Sequence, residues 1–427
     1  MLYDRWRQVA RNLAAELALA DHATNRRWTF AQLAEAAEHT VIPERPIACP
    51  QGNSPEFVLQ LLAAWRTGRP VLPLEAGQSV PAISPKQFSA TESTRPGAPV
   101  VHFKLTSGTT GESQLIAFTA AQLAADADNV VATMGLRPEW PNLGVINLAH
   151  SYGFSNLVTP LLLHGVPLIL CPSPMPEVVK AAAVAGPALT LPAVPAMWRA
   201  WHDANAIPTN VRLAVSAGAP LPLELEASIF EQRGLKLHNF YGSSECGGIA
   251  FDRSTTPRAD ASLAGEALEH VSLTIGDDGC LVVQGAAVGE GYLPAANPRL
   301  GGGRFHTSDV VELRAGGVHF RGRLSDVINI AGRKLSPETV EAVIRRQAGV
   351  RDCVIVGVPA RDSVRAEEVL AVVTLENGAA LESVRQQAGA LLAPWQCPRH
   401  WWVVADIPVS GHGKTSRREW RERFLAK

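Results

Sequence analysis

Five short apolar runs, separated by longer stretches of helical character, dominate the sequence between residues 115 and 250. They are LGVINLA (143–149), VPLILC (166–171), ALTLPAV (188–194), VRLAVSAG (211–218) and LKLHNFYG (235–242). Strands that alternate with helices favour α/β layering around a mainly parallel sheet. This alternation therefore predicts an α/β fold for the middle of the chain.

The pattern changes after residue 262. The segments VSLTIGDDGCLVVQG (271–285) and DVVELRAGGVHFRGR (309–323) predict short strands joined by glycine turns, hence a β-rich subdomain. After Arg323 the order strand, helix, two strands, helix, strand predicts a compact α+β unit of about 100 residues, which is large enough to fold alone. We therefore expect a large N-terminal domain over 1–322 and a small C-terminal domain over 323–427.

Composition excludes several classes of protein. Of 427 residues, 46% are apolar and 19% are charged, which supports two or three domains with buried cores. The net charge of −1 offers no basic field for nucleic acid. The longest apolar run, 158–171, is interrupted by prolines, so no membrane span is expected, and the N-terminus lacks the apolar core of a signal peptide. Six cysteines without a CxxC pair argue against disulfides or zinc and favour the cytoplasm.

The run LTSGTTG (105–111) lies between two apolar segments and consists largely of hydroxyl-bearing residues and glycines. This composition suits a loop whose backbone N–H groups surround phosphate oxygens. A solvated turn has the same composition, so the run alone leaves both interpretations open.

Five further segments follow in an order that decides between them. SAGAPL (216–221), YGSSE (241–245), FHTSDV (305–310), GRLSDVINIAGRKLSPETVE (322–341) and GHGKTSRR (411–418), together with LTSGTTG, resemble the ordered motifs of the adenylate-forming superfamily. That superfamily includes acyl- and aryl-CoA synthetases, adenylation domains of peptide synthetases and luciferases. The resemblance covers the chain from about residue 100 to its C-terminus.

The resemblance implies that the chain binds ATP and Mg²⁺. It assigns the nucleotide to Thr106, Ser107, Gly108, Thr109, Thr110, Gly111, Gly218, Ala219, Pro220, Tyr241, Gly242, Ser244, Asp309 and Arg323. Tyr241 would stack on adenine, Asp309 would contact ribose, and Arg323 would contact ribose or phosphate. Glu245 would bind Mg²⁺, a cation that prefers oxygen ligands. A core tyrosine and solvated carboxylates are the alternatives for these residue types.

Lys414 resembles the catalytic lysine that reaches from the small domain into the ATP site. Its ammonium would oppose the repulsion between a carboxylate and the α-phosphate, and such groups contribute on the order of 10²–10³ in rate. GHGKTS also resembles the end of a nucleoside-triphosphatase phosphate loop, but that motif requires glycine where Pro408 stands. The resemblance to the adenylate-forming lysine loop is therefore the better interpretation.

The chain departs from this family in three places. Ser113 and Gln114 occupy the positions of a Pro-Lys pair whose ammonium helps to hold pyrophosphate, so weaker ATP binding is expected. Ser325 stands at the hinge position, which is usually Asp or Lys. Only 104 residues precede LTSGTTG, so we expect a shortened start of the N-terminal domain.

By the same resemblance, the acid pocket is formed by His150, Phe154, Val194, Ala217 and Gly247. The glycines at 242, 247 and 248 are expected to leave room there, which suits an aromatic or medium-chain acid. The acyl-adenylate would then pass to the phosphopantetheine thiol of coenzyme A or of a carrier protein, through a passage at Gly332 that has no side chain to block it. The absence of an obvious basic cluster slightly favours a carrier protein.

Three functional hypotheses follow. The leading one is an ATP-dependent, AMP-forming acid–thiol ligase with a carboxylic acid as substrate. The second is a nucleotide-binding homologue with weak or lost turnover, which the residues at 114 and 325 motivate. The third is an adenylating enzyme whose acceptor is an amine or an oxygen nucleophile.

Overall fold

The computed structural model describes residues 1–80, 98–105, 114–184, 186, 188–330, 333–360, 367–408 and 416–427. The described chain divides into two compact units. The larger unit contains 1–274, 282–306 and 315–318, and the smaller contains 275–281, 307–314 and 319–427. The predicted domain boundary between 322 and 323 remains a prediction.

The larger unit is built on a mainly parallel sheet. Its strands and those of a small accompanying sheet are β1 (Leu17–Asp21), β2 (Arg26–Thr29), β3 (Val100–Leu105), β4 (Leu115–Thr119), β5 (Asn142–Gly144), β6 (Leu168–Leu170), β7 (Leu189–Ala193), β8 (Val211–Ser216), β9 (Leu237–Ser243), β10 (Gly247–Phe251) and β11 (Leu263–Ala267). In the main sheet the order is β2-β1-β6-β5-β7-β8-β9-β10-β11. The strands from β1 to β9 in this order are parallel to their neighbours, whereas the outer pairs are antiparallel. All five apolar runs identified in the sequence supply strands, β5 to β9.

Helices connect these strands. They are α1 (Leu2–Asn12), α2 (Phe30–His39), α3 (Pro55–Arg66), α4 (Ala120–Met134), α5 (Ser151–Gly153), α6 (Thr159–His164), α7 (Pro176–Ala183), α8 (Pro195–Asp203) and α9 (Leu223–Arg233), with a π-helical turn Phe154–Val158 between α5 and α6. Local sequence explains their ends. Thr119 and Gln122 form a reciprocal capping box at the start of α4, and Gly135 ends it in the left-handed conformation.

A small antiparallel sheet has the order β14-β4-β3, where β14 is Gly291–Leu293. On one side of it Phe103, Leu115 and Ala117 pack with Leu72 and Leu74 in a separate apolar cluster. Near residues 70–74 the chain forms isolated bridges, at Val71 and Leu74.

The β-rich region follows as predicted. It contains β12 (Ser272–Ile275), β13 (Cys280–Gln284), β15 (Leu300–Gly301), β16 (Arg304–Arg314) and β17 (Gly317–Arg323). The division between the two units passes through four of these strands, because β12, β13, β16 and β17 each contribute residues to both units.

The rest of the smaller unit contains the predicted strand, helix, two strands, helix and strand, and adds a 3-10 turn, a second short strand and a terminal helix. In chain order the elements are a 3-10 turn (Leu324–Asp326), β18 (Ile328–Ile330), β19 (Arg333–Leu335), α10 (Pro337–Arg345), β20 (Val350–Pro359), β21 (Glu367–Leu375), α11 (Leu381–Leu391), β22 (His400–Val403) and α12 (Arg417–Leu425). Strand β20 pairs antiparallel with β21, which pairs parallel with β22. Both faces of this sheet are covered: Ile355 packs toward Val340 of α10, and Val356 packs in the cluster that includes Trp420 of α12.

None of the helices in the described ranges is both long enough and apolar enough to cross a lipid bilayer.

Candidate active site

The candidate site in the larger unit lies where β7, β8 and β9 end. In a parallel sheet the carboxyl ends of the strands meet at one edge, and ligands of open α/β folds bind there. β7 ends at Ala193 and is followed by Val194, Ala217 follows β8, and Tyr241 lies near the end of β9. Three predicted site segments therefore reach the same edge of the sheet.

The short helix α5 is fixed to this edge by its tyrosine. The Tyr152 hydroxyl donates to the carbonyl oxygens of Ala193 and Val215, both at 3.4 Å. His150 caps α5, because its Nδ1 accepts a hydrogen bond from the Tyr152 N–H at 3.3 Å. Ala217 N–H donates to the Ala193 carbonyl at 3.1 Å. The segment that carries the predicted pocket residue His150 is thus joined to the strand ends that carry Val194 and Ala217.

A second contact joins α5 to the YGSSE segment. The Ser151 hydroxyl donates to the Ser244 hydroxyl at 2.9 Å. Phe154, which follows α5, is almost completely buried, and Tyr152 stacks on Phe240 of β9 with ring centroids 5.9 Å apart. The predicted acid-pocket and nucleotide segments are therefore neighbours in space, as the sequence motifs implied.

The residues predicted to face adenine and the phosphates lie at the surface of this edge. Gly218 has a φ of +86°, a conformation that favours glycine, and both Gly218 and Pro220 are exposed with Ala219 half-buried between them. Tyr241 is half-buried and Gly242 is exposed. A ligand can therefore reach these residues from solvent.

Glu245, the predicted magnesium ligand, is held by a tyrosine from a distant segment. The Tyr292 hydroxyl donates to Glu245 Oε1 at 2.9 Å across 47 residues of sequence. Burial raises the pKa of Tyr292 well above its ordinary value, and the negative charge of Glu245 raises it further, so the phenol stays protonated and donates. A half-buried carboxylate with one oxygen fixed by a neutral donor fits a hard cation that prefers oxygen ligands.

The glycines on either side of Glu245 do not leave room for the acid, contrary to the expectation from sequence. A Cβ at Gly247 would lie 2.0 Å from Asp126 Oδ1, one at Gly248 would lie 2.3 Å from Leu268, and one at Gly242 would lie 2.7 Å from the Gly247 carbonyl oxygen. These glycines therefore allow close packing of neighbouring segments rather than leaving open space. Gly247 also has a φ of +69°, which a residue with a side chain adopts only with strain.

Asp126 of α4 is the partner that this close approach accommodates. It is 4% exposed, and its carboxylate accepts hydrogen bonds from the Gly248 N–H at 3.0 Å and the Ser155 hydroxyl at 2.5 Å. The carboxylate thus joins α4 to the π-helical turn and to β10. Asp126 and Tyr292 lie outside every recognised motif, so the sequence alone gives no sign of their roles.

The two predicted ribose ligands belong to the smaller unit and contact each other. Arg323 Nε donates to Asp309 Oδ1 at 2.8 Å. Asp309 lies on β16, and its N–H donates to the Thr307 hydroxyl at 3.0 Å. Ser325, the predicted hinge residue, lies in the 3-10 turn directly after Arg323. Asp309 of the FHTSDV motif and Arg323 of the GRLSD motif are thus in direct contact.

Three predicted features lie outside the described residues. They are the phosphate loop Thr106–Gly111, the passage residue Gly332 and the lysine Lys414. Their roles remain predictions from sequence.

Two family models match this chain, one in each of two separate ranges. The family model for AMP-binding enzymes matches residues 86–293, and the model for the C-terminal domain of AMP-binding enzymes matches residues 339–414. The feruloyl-CoA synthase of Amycolatopsis sp is 29% identical over 344 residues, which cover 75% of this chain and 69% of the relative. The 4-hydroxybenzoate–CoA/benzoate–CoA ligase of Rhodopseudomonas palustris is 24% identical over 350 residues, covering 76% of this chain and 65% of the ligase.

The fold has a close match among solved structures. The crystal structure of ATP-bound MatB from Rhodopseudomonas palustris aligns with a TM-score of 0.85, covers 99% of both chains and is 21% identical. At this identity the similarity establishes the fold, an α/β architecture with a small C-terminal domain.

Proposed function

We propose that this chain, which belongs to the adenylate-forming AMP-binding enzyme family, activates an aromatic carboxylic acid with ATP and transfers the acyl group to coenzyme A. The first half-reaction forms an acyl-adenylate and releases pyrophosphate. The second forms a thioester and releases AMP. The overall reaction is that of an AMP-forming acid–thiol ligase.

One observation carries the proposal. Three predicted segments meet at the carboxyl edge of the parallel sheet, through the Ser151–Ser244 bond and the bond from Tyr152 to the Ala193 carbonyl oxygen, beside the Tyr292–Glu245 pair. This arrangement supports the proposal, because the segment assigned to the acid lies beside the carboxylate assigned to Mg²⁺, and the acid oxygen must approach the α-phosphorus.

Each site residue is assigned to one part of the substrates. We assign His150, Phe154, Val194 and Ala217 to the acid, Gly218, Ala219, Pro220, Tyr241, Gly242 and Ser244 to the nucleotide base and phosphates, and Asp309 and Arg323 to the ribose. Glu245 would hold Mg²⁺, with Tyr292 fixing the orientation of its carboxylate. When bound, Mg²⁺ neutralises phosphate charge and so favours the approach of a second anion.

Each of the two steps forms one bond and breaks one bond. A carboxylate oxygen attacks the α-phosphorus, and the bond from that phosphorus to the bridging oxygen of pyrophosphate breaks. The thiolate of coenzyme A then attacks the carbonyl carbon, and AMP leaves. We assign the first step to Lys414 and the second to the passage at Gly332, with residues 323–427 moving about Ser325 between them.

The names of the relatives favour coenzyme A over a carrier protein as acceptor and aromatic acids over medium-chain ones. We also propose a cytoplasmic location, because all six cysteines are unpaired and such thiols suit a reducing compartment.

The direct test measures acid-dependent exchange of labelled pyrophosphate into ATP over a panel of aromatic and medium-chain acids. Exchange with aromatic acids, followed by thioester formation when coenzyme A is added, is the expected result. ATP binding by calorimetry without exchange for any acid would instead support the homologue with lost turnover. Thioester formation only with a carrier protein, or a product of amide mass, would reassign the acceptor.

A two-step measurement tests the role of Lys414. Lys414→Ala should lower adenylate formation by on the order of 10²–10³, while thioester formation from synthetic acyl-AMP stays within a few-fold of the parent protein. Lys180→Ala, which changes an exposed lysine of α7, is the matched control and should leave both steps unchanged. An equal loss in both steps would contradict the assignment.

A further inference from the structure

Strand β3 presents two buried polar side chains on one face. His102 and Lys104 lie opposite Phe118 and Ile116 of β4, and they are 0% and 6% exposed. Side chains two residues apart on a strand share a face, whereas Phe103 between them packs in the apolar cluster on the other side. An imidazole and an ammonium are thus buried next to each other, directly before the phosphate-loop motif.

Within the described residues, neither ring nitrogen of His102 has a hydrogen-bond partner. Its ring packs between Phe154, at 4.5 Å between centroids, and Phe118, at 6.3 Å. Burial lowers the pKa of His102 well below its ordinary value, and the charge of Lys104 lowers it further, so the ring is neutral. A neutral imidazole has one donor and one acceptor, and leaving both unused in a buried place is costly.

Lys104 is likewise without a hydrogen bond or ion pair in the described part of the chain. Its Nζ lies 4.7 Å from the centroid of the Phe118 ring, which is a cation–π contact. Burial lowers the pKa of Lys104, and the nearby charge of Asp126 opposes this shift only in part. The Asp126 carboxylate is bonded to Ser155 and Gly248 instead. The three N–H donors of this ammonium are therefore available to a ligand.

The two side chains adjoin the acid pocket. The ring against His102 is Phe154, which is a predicted pocket residue. The carboxylate that influences Lys104 is that of Asp126, which bonds to Ser155, the residue after Phe154. Lys104 is also close enough to Glu245 to be influenced by its charge. Two buried polar groups that make no hydrogen bond in the described ranges are thus neighbours of the residues assigned to the acid.

We propose that Lys104 and His102 are specificity residues that bind an oxygen substituent of the acid, a hydroxyl or a second carboxylate on its aromatic ring. Phe118 packs against both groups, and Phe154 packs against His102. The substituent oxygen accepts a hydrogen bond from the Lys104 ammonium or the His102 N–H, which satisfies donors that the fold leaves unused. This inference rests on the proposed function, because it names the class of acid that the ligase prefers.

The test compares acids that differ only in the substituent: benzoate, the three hydroxybenzoates and the three benzene dicarboxylates. For each acid, kcat/KM is measured by pyrophosphate release, and Kd is measured by tryptophan fluorescence without ATP. The parent protein should prefer at least one substituted acid over benzoate by about 10- to 100-fold, the value of a charge-assisted hydrogen bond. The position of the preferred substituent and its charge distinguish a hydroxyl from a carboxylate.

Lys104→Met keeps the length and apolar stem of the side chain but removes the ammonium. It should reduce the preference to about unity while leaving kcat/KM for benzoate within three-fold, and Lys180→Met should leave the preference unchanged. Equal losses for benzoate and substituted acids would overturn the inference, since Lys104 would then act on the reacting carboxylate or on folding. A parent protein without any preference would overturn it as well.

His102→Phe provides a second variant, expected to reduce the preference less than Lys104→Met does. If thermal melting shows that His102→Phe does not fold, the Lys104→Met variant still tests the proposal. The Kd measurements separate the two proposals. A substituent preference in Kd without pyrophosphate release for any acid would contradict the ligase activity but support the role of the specificity residues. Turnover without a substituent preference would support the ligase activity and contradict that role, and the absence of both binding and turnover would contradict both proposals.

Discussion

Two buried lysines of the larger unit have opposite surroundings. Lys236 is 8% exposed and Lys104 is 6% exposed, so both have lost nearly all contact with water. The Lys236 ammonium donates to Glu226, to Asp252 at 2.6 Å and to the Leu237 carbonyl oxygen at 2.9 Å. Lys104 has no such bond within the described residues.

The charges around Lys236 form a closed network. Glu226 also accepts from Arg258, both from Nε at 2.9 Å and from the backbone N–H at 3.0 Å. Two cations and two carboxylates therefore neutralise each other between α9, β9 and the segment after β10. A buried charge that is fully paired stabilises one arrangement of segments, whereas one without partners costs stability unless a ligand completes it. Lys236 therefore has a structural role, whereas Lys104 has the proposed ligand-binding role.

The largest effect is expected from Glu226, the centre of the paired network. Glu226→Ala leaves Lys236 and Arg258 with uncompensated buried charge, so it should lower the free energy of unfolding by about 3–5 kcal/mol. Urea denaturation followed by tryptophan fluorescence measures this. A loss below about 1 kcal/mol would show that the network is not structural.

A matched pair of substitutions tests the comparison itself. Lys236→Met should destabilise the protein by about 2–3 kcal/mol, because it removes a partner from two buried carboxylates. Lys104→Met should be neutral or stabilising by about 1–2 kcal/mol, because the ammonium it removes is buried without hydrogen bonds. The same denaturation series serves both variants. Similar losses for the two would remove the distinction between the lysines.

The pH dependence of Lys104 should be smaller but opposite in sign to that of a paired lysine. Burial lowers its pKa below the ordinary value of 10.5 in the folded chain, so the unfolded chain binds more protons between these two values. Stability then rises with pH in that window. The stability of the parent protein relative to Lys104→Met should therefore increase as pH is raised toward 10.5. A relative stability that falls over that range would mean that the ammonium is paired.

The smallest effect is expected at an exposed ion pair. Arg253 contacts Glu266 at 3.2 Å and Glu269 at 3.5 Å, with the two carboxylates each 55% exposed. Arg253→Ala should change the free energy of unfolding by less than about 1 kcal/mol, since solvent and salt screen such pairs. A thermal melt at two salt concentrations measures it, and a loss comparable to that of Glu226→Ala would contradict the importance of burial.

Much of the fold could be predicted from the chain alone. The five apolar runs become β5 to β9 because strands buried on both faces are continuously apolar, which is a local property. The smaller unit follows its predicted order for the same reason: Ile355 and Val356 alternate between two covered faces of β20. Six ordered motifs were also enough to identify the family and its chemistry.

The tertiary structure alone decided which side chains support those motifs. Tyr292 reaches Glu245 across 47 residues, and Asp126 occupies the space beside Gly247, so no local spacing indicates either contact. Lys104 and Lys236 are the same type of residue, so the sequence alone does not distinguish their roles. Their roles differ because a hydrogen bond depends on positions in space to within tenths of an ångström, and only the packed fold fixes which carboxylates come within reach.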